Sequence, residues 1–341
     1  MRDNEEKRKS ILFVYTSFSS FVKNDYETLN ANHLVAKYHF APVKGILRNV
    51  LEILKQLLYL LIHGWKYDIF FCWFSDYHSF LPVLFAKITG KKSVIIIGGY
   101  DVCRIRKLNY GAFCSSFRGW FCAKSMRLAS WILPVSKYVE RKAQIIAPRT
   151  RCKMIYNCVS LDNPGDPTSI KTDTVLTVGL ISNERTFYTK GIDTFIEVAR
   201  LLPGLSFQVV GINRLKLEHK LGNLPSNLAL FEKVNPQELT AFYKNAKIYC
   251  QLSRSESFGV SIAEAMKFGA FPVVTNEGGM PEIVGITGAV VNRDLRGIAN
   301  LIEDRILKEG APYEIDIRMQ VGKFFSQKQR QESLFSVINS D

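Results

Sequence analysis

Ser255-Glu256-Ser257-Phe258-Gly259-Val260-Ser261-Ile262-Ala263-Glu264 is the stretch on which the reading of this chain turns. It follows an apolar, β-rich run at residues 248–252 and passes into Ala265-Met266, so it reads as strand, small-residue loop, then helix. Such a loop leaves the first N–H groups of the helix without intrahelical partners, at the positive end of the helix dipole. That is a seat for a diphosphate, with Phe258, Gly259 and Val260 as the N–H donors. Glu264, within the helix, is placed to accept hydroxyl protons of a ribose, and Glu256, at the loop tip, to face a sugar. On spacing alone, two glutamates eight positions apart are common and read better as a surface pair. Their surroundings decide.

Working outward, the next strand, at residues 271–275, leads into Asn276-Glu277-Gly278-Gly279-Met280-Pro281-Glu282. The glycine pair permits close approach to a ligand, and the proline starts a helix. Upstream, Thr177-Val178-Gly179 ends a strand and Lys190-Gly191-Ile192-Asp193 opens a helix. Three loops at strand carboxyl ends thus converge. Lys190 would bring a cation to a diphosphate leaving group and Arg185 a second one.

The same alternation runs through the whole chain. Residues 11–15, 68–73, 93–97, 131–135 and 152–156 read as buried parallel strands, with helical patterns such as 47–62 and 79–89 between them. Asp162-Asn163-Pro164-Gly165-Asp166-Pro167 reads as a linker, and a second series follows at 174–178, 206–210, 228–231, 248–252 and 271–275. The expected fold is therefore α/β, two doubly wound Rossmann-like domains facing across a cleft. The expected ligand site is that cleft, beyond the carboxyl ends of the strands.

Composition narrows the function classes. A chain of 341 residues, 47% hydrophobic and 22% charged, is ordered and large enough for about two domains. Its net charge is +14, and residues 1–155 hold 25 Lys/Arg against 10 Asp/Glu, so the excess lies wholly in the first half. A one-sided basic field implies a polyanionic partner or, more blandly, a solubilising surface. Seven cysteines without a C-x-x-C, and no Asn-x-Ser/Thr, fit a reducing cytoplasm and argue against structural zinc. No apolar stretch approaches the roughly 18 residues of a spanning helix, so membrane contact is expected to be peripheral.

Two segments suit such contact. In the helix at 47–62, Leu47, Leu51, Leu54, Leu58 and Leu61 share one face, with Arg48, Glu52 and Lys55 on the other. A core-facing helix and a membrane-surface helix both fit that pattern. Residues 104–127 interleave six Lys/Arg with Tyr110, Phe113, Phe117, Trp120 and Phe121, which suits a headgroup interface, an aglycone platform, or ordinary helix packing with a wet outer face.

With these motifs assembled, the sequence resembles the retaining glycosyltransferases of family 4 (glycosyl transferases group 1), which have the GT-B fold. Val178-Gly179, Lys190-Gly191, the Glu256/Glu264 pair with its Ser-Phe-Gly insert, Glu264-Ala265-Met266 and Gly278-Gly279-x-Pro281-Glu282 carry the resemblance across about 174–291. Gly98-Gly99-Tyr100-Asp101, Pro134-Val135-Ser136 and Ile155-Tyr156-Asn157-Cys158-Val159 extend it more weakly. The resemblance implies transfer of a sugar from a nucleotide-sugar to an acceptor with retention at the anomeric carbon, with no bound metal and no cofactor. Residues 1–160 would form the acceptor domain, with residues 323–341 packing back on it, and 161–322 the nucleotide-sugar domain. Glu256 would contact the transferred sugar, Glu264 the ribose, and Lys190 the diphosphate, with Gly179 and Arg185 beside it. His78, Asp101 and Ser17 are the candidate acceptor or transferred-sugar contacts, packing being the competing role for the first two.

The acceptor class implied is a cell-envelope glycan or a glycolipid, met at the cytoplasmic face of an anionic membrane through the basic half. A sugar-nucleotide epimerase or phosphorylase of the same fold, or a silent nucleotide-binding protein, are the competing functions. The absence of G-x-G-x-x-G and G-x-x-x-x-G-K-[ST] disfavours a dinucleotide oxidoreductase and a P-loop kinase. No nucleic-acid-binding module accompanies the basic half, so no nucleic-acid partner is expected.

Overall fold

The computed structural model describes residues 8–41, 46–159, 171–307 and 312–340, with side chains from 49 and 314 in the second and fourth stretches. The expected linker at 162–167 lies outside the described residues. The chain divides into two units, Met1–Tyr156 with Lys328–Asp341, and Asn157–Gln327.

The first unit runs β1 (Ser10–Tyr15), α1 (Ser20–Asn32), β2 (Leu34–His39), α2 (Ile46–His63), β3 (Ile69–Trp73), α3 (Tyr77–Ile88), β4 (Lys92–Ile97), α4 (Ser116–Leu128), β5 (Trp131–Pro134), α5 (Lys137–Ile146) and β6 (Arg151–Cys152). Its six strands form one parallel sheet in the order β2-β1-β3-β4-β5-β6. The apolar runs of β1, β3 and β4 lie at its centre and are almost wholly buried, as strands covered on both faces must be.

Two details differ from the sequence expectation. Leu34–His39 is a strand that no continuous apolar run announces, because it sits at the sheet edge and stays half exposed. The strand expected at 152–156 pairs fully only over Arg151–Cys152. Beyond it the chain follows β5 by two more bonds, from Lys153 N–H to Ile132 and from Ile155 N–H to Pro134.

The second unit continues with β7 (Thr172–Ile181), α6 (Glu184–Thr189), α7 (Ile192–Leu201), β8 (Ser206–Ile212), α8 (Arg214–Leu221), β9 (Leu228–Phe231), α9 (Pro236–Asn245), β10 (Ala246–Gln251), α10 (Val260–Lys267), β11 (Phe271–Thr275), α11 (Met280–Val284), β12 (Ala289–Val291), α12 (Leu295–Leu307) and α13 (Pro312–Phe324). Its sheet is again six-stranded and parallel, in the order β12-β11-β10-β7-β8-β9. β7 and β10 lie side by side at its centre, so the loops that leave them open at neighbouring points. The order reverses there, and a reversal of strand order is where open parallel sheets hold ligands. The core beneath joins Val175, Phe195, Phe207, Val209, Ile248 and Val273.

The last helix, α14 (Gln327–Ile338), belongs to the first unit. Arg330, 4% exposed, forks onto the carboxylate of fully buried Asp25 at 2.5 and 2.6 Å and also donates to the Ile155 and Tyr156 carbonyls. Lys92 donates to the Val337, Ile338 and Ser340 carbonyls, placing a cation at the negative end of the helix dipole.

The helix expected at 47–62 is α2, and its orientation settles one question left open by its pattern. Leu51, Leu54, Leu58 and Leu61 face outward, so the core-facing alternative is wrong for them. The side chains of Leu47 and Arg48 lie outside the described residues. No helix among the described residues is long and apolar enough to cross a membrane.

Candidate active site

Lys190 owes its place to three local devices. Asn183 caps α6, its Oδ1 accepting the Thr186 N–H at 2.9 Å, and the helix ends at Lys190, whose own N–H donates to the Thr186 carbonyl. Gly191 follows with φ +70°, its Cα so close to Leu252 that an added Cβ would stand 1.9 Å from that carbonyl oxygen. The Arg254 N–H then donates to the Thr189 carbonyl at 2.8 Å, tying this turn to the loop after β10. The Arg254 guanidinium reinforces the tie, gripping both Asp193 oxygens at 2.7 and 2.5 Å and the Tyr188 carbonyl at 2.6 Å.

Glu256 is held by the loop after β11. The Gly279 N–H donates to the Glu256 carbonyl at 2.9 Å, and Gly278, with φ +68°, lies so near that a Cβ there would stand 1.8 Å from the same oxygen. Only glycine fits that contact and that backbone conformation. The Lys190 ammonium therefore meets a Glu256 carboxylate oxygen at 2.5 Å. Gln251 Nε2 donates to the same oxygen at 2.8 Å, and the Ser257 N–H to the other at 3.2 Å. Gly179 completes the cluster, the Lys190 side chain passing 3.8 Å from where its Cβ would be.

Helix α10 opens at Val260 after Gly259, which has φ +92° and offers no side-chain cap. The N–H groups of Val260 and Ser261 have no hydrogen-bond partner among the described residues. The Phe258 side chain is buried against Phe325 at 5.3 Å. Glu264, one turn into the helix, accepts from the Tyr243 hydroxyl at 2.8 Å, and burial pushes its carboxyl up to about 7 against that bond and the charge of Lys267.

The structure thus brings Gly179, Lys190, Glu256 and Gly259 together, and places Glu264 on the helix that Gly259 begins. Arg185 is exposed on α6 and makes no contact with this cluster among the described residues. Gln251, Tyr249 and Ser261 were missed by the sequence reading. The Tyr249 hydroxyl links Gln251 Oε1 at 2.9 Å to Ser261 Oγ at 2.8 Å, making a polar chain from Glu256 to the start of α10. A polar residue closing a buried apolar run, as Gln251 follows Ile248-Tyr249-Cys250 in β10, was the available signal.

In the first unit, the His78 ring bonds the Trp73 carbonyl at 2.9 Å, and burial lowers its pKa. Asp101 is buried and accepts from the N–H groups of Ser75, Gly98 and Gly99; burial raises its carboxyl to about 6 despite those bonds. Ser17 is exposed. Among the described residues no three His, Cys, Asp or Glu side chains group to hold a metal ion. A cavity of about 550 Å³ on the second unit runs along α7 between Asp193, Arg200, Lys220 and Arg293, and none of the clustered residues lines it.

Residues 178–311, which hold every member of the Lys190–Glu256 cluster, match the family model of glycosyl transferases group 1. That segment is a glycosyl transferases group 1 domain. A protein of Klebsiella pneumoniae described as an uncharacterized 41.2 kDa protein in the cps region is 26% identical over 173 residues, 46% of each chain. The match therefore spans less than half of that relative's length.

Among solved structures, sucrose-phosphate synthase of Thermosynechococcus elongatus aligns with a TM-score of 0.76 at 14% identity, over 97% of this chain and 98% of its own. Alr3699/HepE of Anabaena, in complex with UDP-glucose, aligns with a TM-score of 0.73 at 15% identity, over 98% and 100%. At such identities the likeness is one of fold. With two six-stranded parallel sheets and flanking helices, the chain around the glycosyl transferases group 1 domain has the two-domain α/β architecture of GT-B proteins.

Proposed function

We propose that the chain is a retaining, metal-independent glycosyltransferase that moves a sugar from a nucleotide-sugar to a cell-envelope glycan or lipid-linked acceptor. The Lys190–Glu256 pair at the mouth of an uncapped helix carries this reading. Departure of a nucleoside diphosphate builds negative charge on phosphate oxygens. An ammonium and backbone N–H groups already aimed at that point stabilise the charge as it forms, without reorganising. In this assignment Lys190 and the N–H groups of Phe258, Gly259 and Val260 take the diphosphate, with Gly179 allowing close approach and Arg185 reaching in from α6. Glu256 contacts the transferred sugar and Glu264 the ribose.

The second unit then binds the donor and the first unit the acceptor. The UDP-glucose complex of the Anabaena protein supports a nucleotide-sugar donor. The cps-region relative supports an envelope polysaccharide as the product class. The basic first unit supports work at the inner, anionic face of a membrane.

The deciding experiment is a thermal-shift panel of nucleoside diphosphates and nucleotide-sugars, followed by product analysis with the donor that stabilises most. A ligand at 100 times its dissociation constant adds about 2.7 kcal/mol. Transfer to an acceptor with the anomeric configuration kept, in a chelator, is the expected result. An epimerised or phosphorolysed donor, or binding without turnover across a broad acceptor panel, would reject it.

A further inference from the structure

Helix α2 is set into the first unit with its polar side inward. The Gln56 amide, almost wholly buried, donates to the His78 carbonyl at 2.9 Å, and the Tyr59 and Tyr67 hydroxyls meet at 2.7 Å. Tyr59 also packs on Tyr38 and His63, and Glu52 is mostly covered. The aliphatic side is left outside. Leu51, Leu54, Leu58 and Leu61 are 53–59% exposed, Ile62 is 58% exposed, and Trp65, one turn on, is 63% exposed.

Leu51, Leu54, Leu58 and Leu61 follow one another at i, i+3, i+7 and i+10 and so make a single ridge along the helix, with Ile62 beside Leu61 and Trp65 in the 3-10 turn Gly64–Lys66 that follows. A water-facing helix ordinarily turns its leucines to the core, and a contiguous apolar ridge of this kind marks an interaction surface. Trp65 packs edge-on to Phe85 of α3, whose last residue, Ile88, is 76% exposed.

Charge selects the occupant. Lys55 on α2, Lys66 in the turn that follows it and Lys87 on α3 are exposed, and the only acidic side chain described on α2, Glu52, is turned inward and paired with Lys55. The half of the sequence that contains it holds 25 Lys/Arg against 10 Asp/Glu. A leucine ridge with a tryptophan at its end and flanking lysines matches the acyl–headgroup boundary of an anionic bilayer. We propose that α2 lies in the plane of an anionic membrane surface, with Leu51, Leu54, Leu58, Leu61 and Trp65 immersed below the headgroups. This rests on the reading of the chain as an enzyme of that surface and names the element that makes the contact.

The test is flotation of the full chain with phosphatidylglycerol/phosphatidylcholine vesicles and with phosphatidylcholine alone, together with Trp65 emission, taken as the part of the tryptophan signal that Trp65→Phe removes. The wild type should float with anionic vesicles and release at high salt, with Trp65 emission shifting to the blue. Leu54→Gln/Leu58→Gln should lose at least about tenfold in bound fraction, while its thermal shift with nucleoside diphosphates stays that of the wild type. Leu215→Gln, at a still more exposed leucine (84%) on the other unit, should float normally.

A wild type that floats while the double variant floats equally overturns the role of α2 and leaves the membrane reading standing. A wild type that never floats overturns both. Concentration-dependent dimers that the double variant abolishes, without flotation, would assign the ridge to a second copy of the chain and overturn the proposal.

Discussion

The Lys190 ammonium and the Glu256 carboxylate, 66 positions apart, stand 2.5 Å from each other, with the Gln251 amide on the same carboxylate oxygen. Each is delivered by a glycine-dependent turn, and each charge offsets the other's loss of water, so the pair is preorganised. Lys190→Ala and Glu256→Ala should each lower turnover by ~10²–10³-fold, the usual effect of removing one transition-state contact. Circular dichroism should show both variants folded. Full turnover in both would overturn the assigned roles.

Gly278→Ala tests the backbone that holds Glu256. Positive φ and a Cβ 1.8 Å from the Glu256 carbonyl oxygen leave the alanine no relaxed position. Strain of about 1–3 kcal/mol is expected, seen as a lower melting temperature, with loss of activity although no side chain of the site is removed. Gly204→Ala, where nothing lies within 4 Å, should match the wild type.

Glu264 gives a pH dependence of definite sign. Burial raises its carboxyl from 4.5 to about 7, so the folded state holds the proton more tightly than the unfolded one. Its contribution to stability is complete below about pH 4.5 and is lost as pH rises through about 7. Thermal unfolding of Glu264→Gln should be flatter over that window than that of the wild type. An identical slope in the two proteins would rule out titration of this carboxyl.

The Asp25–Arg330 pair predicts a large effect far from the site. Arg330→Ala leaves a fully buried carboxylate uncompensated, which should cost ~3–5 kcal/mol in urea unfolding. Replacing both with apolar residues, Asp25→Leu/Arg330→Met, should recover much of that loss. Were the double variant no more stable than Arg330→Ala, the pair itself would not be the source.

The sequence made some of this legible and hid the rest for physical reasons. Buried parallel strands such as β3 and β4 are continuous apolar runs and stand out. Edge strands such as Leu34–His39 keep one side wet and do not. The Lys190 and Glu256 loops were readable because glycine is obligatory where the backbone approaches closely. Gln251 and Tyr249 were not, because a buried polar chain among strands shares its composition with ordinary strand ends. The leucine spacing of α2 was plain, but which side faced the protein depended on Gln56 and Tyr59 finding partners on α3 and at Tyr67, which no helical period reveals.

The return of α14 also bears on how the molecule is made. Asp25 emerges from the ribosome 305 residues before the guanidinium that neutralises it. The second unit, an uninterrupted segment from Asn157 to Gln327, is fully synthesised in the meantime. The first unit therefore cannot close its Asp25–Arg330 pair until the second has been synthesised, whereas domains customarily mature in the order in which they are made. The later-made unit can finish folding while its predecessor still waits for its final helix.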